Sequence, residues 1–124
     1  MATYFCARNV TAVQTIANMQ KLDGTVAGPN QAILNASSTA LAGPGSNQGF
    51  QVTVTGSGNV SCTIQPVASN DGINWVNNGS TIAAGSAANV SSAIGQTTVT
   101  NAYVGAFVTA ITGTNASANI TVSF

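Results

Sequence analysis

At 124 residues the chain has the size of one domain with a modest core. Its apolar fraction of 44% is ordinary, but Arg8, Lys21, Asp23 and Asp71 are its only charged residues, 3% of the chain with a net charge of zero, where soluble domains carry about 25%. This balance argues against nucleic acid, which needs basic residues to neutralise phosphates, and no apolar run approaches the roughly 20 residues of a membrane-spanning helix.

Gly, Thr, Ser, Asn and Val dominate and Glu is absent, a composition of strands separated by turns. Residues 1–22 read as one or two strands; the stretch from Val10 to Leu22 also fits a short helix, because Val13, Ile16 and Met19 recur at helical spacing, and strand is the reading adopted. Residues 23–49, with Gly-Pro contexts at Pro29 and Pro44 around the apolar pair Ile33 and Leu34, read as a long irregular connection holding one short strand. From Phe50 the pattern sharpens. Phe50, Val52 and Val54 alternate with Gln51, Thr53 and Thr55, and Val60, Cys62 and Ile64 resume the alternation, so Gly56 to Asn59 is expected to be a tight hairpin turn.

Asn70-Asp71-Gly72 marks the next turn, before Ile73-Asn74-Trp75-Val76. Residues 78–100 are small and polar, with short strands expected at Ser80–Ala84 and Thr97–Thr100. Tyr103 to Ile111 reads as a long strand, Gly113-Thr114-Asn115 as a turn, and Ala118, Ile120, Val122 and Phe124 as a closing strand. The chain is therefore expected to be all-β, one domain over 1–124: an antiparallel β-sandwich of jelly-roll type in its regular portion, 50–124, with an irregular N-terminal arm and long loop in 1–49.

Little chemistry is available. The chain has no His and no Glu, removing the commonest general base and the usual carboxylate partners, and each of its two aspartates sits beside a glycine in a turn. No serine has an evident base and neither cysteine an activating neighbour, so no enzyme, cofactor or metal is expected. The N-terminus, MATYFCARNV, lacks the charged and apolar regions of a secretion signal, which favours synthesis in a cytoplasm and free thiols at Cys6 and Cys62. A surface with so few charges gives little protection against self-association and has few ions to desolvate at an interface, as suits an assembly component. Candidate subunit contacts are Tyr4, Phe5, Val10, Ile33, Leu34 and Leu41. Trp75, whose parity with Ile73 favours a place in the core, and Tyr103 are the candidate surface aromatics.

The stretch Val67 to Val76, VASNDGINWV, resembles the "SNDG-x-NW" hairpin of small β-sandwich proteins in tailed-bacteriophage virions. The run Tyr103 to Ile111 followed by Thr112-Gly113-Thr114 resembles their closing hairpin, with Gly105 and Phe107 at positions where arginine is usual. The resemblance covers residues 50–124. It implies a virion structural protein, foremost a capsid decoration (cement) protein bound to the major capsid protein or other virion subunits, as a homo-oligomer and most simply a trimer. The two rival readings are a fibre or tail adhesin that binds host-surface glycan and a repeating subunit of a tail tube or filament.

Overall fold

The fold is given by a computed structural model, which describes residues 3–21, 38–41, 47–98 and 103–123. Among the described residues seven strands form one sheet: β1 (Thr3–Val10), β2 (Gln20–Lys21), β3 (Ser38–Leu41), β4 (Asn47–Ser69), β5 (Val76–Asn77), β6 (Ile82–Thr98) and β7 (Tyr103–Ser123). A single 3-10 turn, Ile16–Asn18, lies between β1 and β2, where neither a longer helix nor a continuous strand forms. All pairings are antiparallel except the two-residue contact of β2 with β3.

Three long strands carry the sheet. The central strand β4 pairs with β7 along one side and with β6, then β5, along the other. The outer side of β7 is taken by β1 near its C-terminal end and by β3 near its start. Between these two, Gln14 completes the ladder. Its N–H donates to the Val108 carbonyl at 2.8 Å, and its side-chain Oε1 accepts the Val108 N–H at 3.1 Å. A buried glutamine here stands in for a strand residue and satisfies backbone groups that no neighbouring strand reaches.

The long strands bend together. Register shifts fall between Thr55 and Ile64 in β4, opposite Val108 to Ser117 in β7 and Ala84 to Val90 in β6. Positive φ angles mark the same level: Gly58 at 74°, Asn89 at 69°, Gly113 at 127° and Asn115 at 54°. The Gly58 N–H donates to Asn89 Oδ1 at 3.1 Å, and the Ser91 hydroxyl donates to the Gly85 carbonyl, tying the bend across and within strands. Beyond the bend the chain approaches itself. A Cβ on Gly95 would lie 2.5 Å from Ile82 Cγ1, although these two positions of β6 would be about 43 Å apart in a straight strand.

The inner side chains of both halves accordingly share one core. Phe50, Val52, Val54, Ala118, Ile120 and Val122 from one half pack with Val60, Cys62, Ile64, Val104, Ala106 and Val108 from the other, joined by Cys6, Ala7 and Val10 of β1. A smaller cluster of Met19, Val67 and Phe107 sits beside it.

Sequence expectations are corrected at four places. Gly56 to Asn59 and Gly113 to Asn115 are not hairpin turns, because the segments on either side of each continue to pair with the same neighbouring strands. They are bulges that let a strand turn a corner and then resume its alternation. In the same way residues 82–98 form one strand rather than two short ones. The strand expected within residues 1–22 forms at Thr3–Val10, but it is integral to the sheet rather than part of an irregular arm, with Cys6 and Val10 in the core.

Candidate assembly surface

The residues singled out from sequence fall in different places. Val10, a candidate subunit contact, is only 1% exposed and is held inside the chain's own core. Phe5 is half-buried on β1, with the Arg8 guanidinium 4.3 Å above its ring. Ile33 and Leu34 lie outside the described residues. Tyr4 and Leu41 belong to β1 and β3 and pair with Val122 and Tyr103, but their side chains lie outside the described part.

Trp75 and Tyr103 are brought together, ring centroids 6.3 Å apart in an edge-on arrangement. Trp75 is half-buried and packs on the cluster of Met19, Val67 and Phe107. Ile73 does not share its environment. Residues 70–74 form bends rather than strand, so strand parity does not apply, and Ile73 is exposed.

Those bends are organised by Asp71. Its Oδ1 accepts the Ile73 and Asn74 N–H groups at 2.8 Å each and the Ser69 hydroxyl at 2.9 Å, while Oδ2 accepts Asn74 Nδ2 at 2.8 Å. These hydrogen bonds, the Asn74 N–H first, hold the carboxyl well below the usual carboxylate range. Asp71 is thus engaged in the turn itself. Asp23 lies outside the described residues. Among the described residues no three His, Cys, Asp or Glu side chains converge to hold a metal.

Cys6 and Cys62 are both free and buried. Burial pushes the Cys6 thiol up to about 12, against a weaker opposing hydrogen bond with the Ala106 backbone, and the Cys62 thiol up to about 11. They pack as small apolar groups.

The remaining distinctive surface is the outer face of the half-sheet made by β1 and the adjoining portions of β4, β6 and β7. Its cross-strand rows are rich in hydrogen-bonded hydroxyls and amides: Thr53 with Ser92 at 2.9 Å, Thr3 with Ser123 at 2.8 Å, and Asn119 Oδ1 accepting the Asn9 N–H at 2.9 Å, while Arg8 over Phe5 is its charge among the described residues. Two large apolar side chains stand out of this surface on β6, Val90 at 52% and Ile94 at 73% exposure. Ile94 also borders a shallow hollow of about 270 Å³ lined by Thr3, Gln51, Thr121 and Ser123. No protein family, curated protein or solved structure matches this chain.

The strand β6 that carries both residues pairs with β4 alone among the described residues. Its other edge presents backbone N–H and C=O groups along 17 residues that include no charge and no proline. Val90 and Ile94 escaped the sequence reading because residues 78–100 look like small polar connections. The available signal was their equal parity, which has meaning only once the segment is known to be one strand.

Proposed function

We propose that this chain is a non-enzymatic structural subunit of a virion, a capsid decoration protein that binds the major capsid protein and its own copies, and that its bent sheet is a β-sandwich of jelly-roll type. The observation that carries this reading is the long edge of β6, 17 residues with no charge and no proline, beside a hydroxyl-rich sheet face whose charge among the described residues is Arg8, stacked on Phe5. Such an edge meets a protein neighbour without desolvating ions of its own, and its backbone groups are ready-made for pairing. The sequence motifs around Asp71 and Tyr103 direct the reading toward tailed-phage particles rather than other assemblies, although the second of them lies in one continuous strand and not in a hairpin. The shared core of the two half-sheets and the contact of Gly95 with Ile82 support the sandwich. The aromatic pair Trp75 and Tyr103 favours the adhesin reading less, since Trp75 is partly covered by its own cluster. Electron microscopy of particles from cells that produce the chain, with the protein labelled, is the test. Regular occupancy over the capsid is expected; a few copies confined to a tail tip, or absence from particles, would overturn it.

A further inference from the structure

Edge strands in natural proteins are short, or are guarded by lysine, proline, inward charges or bulges, because an open edge pairs with whatever strand it meets. β6 has none of the chemical guards. Its two register irregularities against β4, at Asn89 between Ala88 and Val90 and again between Ala84 and Ala87, lie at the corner, and from Val90 to Thr98 the register is unbroken. Along this regular part Val90, Ser92, Ile94 and Gln96 point outward, while Ser91, Ala93, Gly95 and Thr97 point toward the core. The inward positions are small, and the outward ones place two apolar side chains symmetrically about Ser92.

We propose that this edge is the contact between two copies of the chain, which pair β6 with β6 antiparallel about a two-fold axis passing at Ser92. This rests on the reading of the chain as an assembly subunit, but not on which particle it joins. The register follows from the side chains. With the axis at Ser92, Val90 of each copy stands directly opposite Ile94 of the other on the outer face, giving two apolar cross-strand pairs, and Ser91 stands opposite Ala93 on the inner face. Moving the axis to Ala93 sets Val90 against Gln96 and Ile94 against Ser92. Moving it to Ser91 sets Val90 against Ser92 and Ile94 against Ala88. Only the Ser92 register covers both exposed apolar groups with apolar partners. A second copy suits the edge because neither copy brings a charge that the other would repel. The pairing is two-fold, so at this edge it replaces the trimer expected from sequence.

The test uses the full chain carrying Ser92→Cys. Opposed antiparallel residues have Cα atoms about 4.5–5.5 Å apart, inside the range a disulfide spans. Cys6 and Cys62 are buried, so the wild-type chain is the background. Mild oxidation should link S92C into a reducible dimer at least about tenfold faster than Gln51→Cys, an exposed outer-face position on β4 away from the edge, because a held pair has a far higher effective concentration than colliding chains. In parallel, light scattering should give the wild-type chain twice its 12.2 kDa mass and Ile94→Lys the monomer mass, since I94K sets a buried cation against Val90. Ile94 is exposed in the single chain, so circular dichroism of I94K should match wild type; if it does not, the cross-linking comparison decides. A wild-type monomer or trimer, a dimer that persists in I94K with its fold intact, or equal cross-linking of S92C and Q51C would overturn the proposal. Failure of the virion reading would show in particle imaging and would leave the cross-linked dimer in place.

Discussion

Replacing single glycines at and away from the bend probes whether the corner is built into the three long strands. Gly113 has a φ of 127°, a conformation that side chains rarely adopt, and a Cβ there would lie 2.6 Å from Val60 Cγ1 and 3.1 Å from the Asn59 carbonyl oxygen. Gly113→Ala therefore combines backbone strain of about 1–3 kcal/mol with overpacking of about 1–3 kcal/mol, a loss of roughly 2–6 kcal/mol. Gly56 isolates the second effect. Its φ is not left-handed, but a Cβ would meet the Thr114 carbonyl oxygen and Val60 Cγ1, each at 2.8 Å, so Gly56→Ala is expected to cost about 1–3 kcal/mol. Gly49 is the control, with nothing within 4 Å of a Cβ, and Gly49→Ala should be neutral or stabilise by up to about 1 kcal/mol. Against a total stability of order 5–15 kcal/mol these differences are large. Urea titration followed by the fluorescence of Trp75 should rank the midpoints as Gly49→Ala at or above wild type, then Gly56→Ala, then Gly113→Ala, with unchanged slopes. In thermal melts the spacing should be about 4 °C per kcal/mol. Equal midpoints for all three variants would refute the packing at the bend.

Removal of residues 1–10 should abolish cooperative unfolding rather than yield a folded but unassembled domain, because it strips Cys6, Ala7 and Val10 from the core and bares the edge of β7; a soluble truncated chain with a sharp melt would refute the placement of β1. Folded protein at about pH 8 should leave both thiols unalkylated while unfolded protein reacts fully, since burial disfavours the thiolate. The same burial has a pH signature. The folded-state thiol values of about 12 and about 11 lie above the ordinary 9.0, so stability is intact below 9 and declines as pH rises through the folded values. Urea midpoints that stay level on going from about pH 8 to about pH 11 would count against thiols held in the core.

The alternation of Phe50, Val52 and Val54, and again of Val60, Cys62 and Ile64, determined from sequence alone that these residues form strands with one buried face, because side-chain period is a local property of extended backbone. Composition likewise determined that this is a β protein with almost no charge to carry chemistry. The turn at Asp71 was legible for the same local reason: its hydrogen bonds all fall within residues 69–74. What glycine-rich segments do was not legible. Gly56 to Asn59 has the chemistry of a hairpin turn, and only pairing with β6 and β7 on both sides made it a corner in one strand. Tertiary structure alone also decided the fate of the N-terminal segment, since the partner of β1 lies more than a hundred residues away at Ala118–Ser123. It decided, finally, that residues 82–98 are an exposed edge. Whether a strand has one neighbour or two depends on where the rest of the chain goes, and no local pattern encodes that.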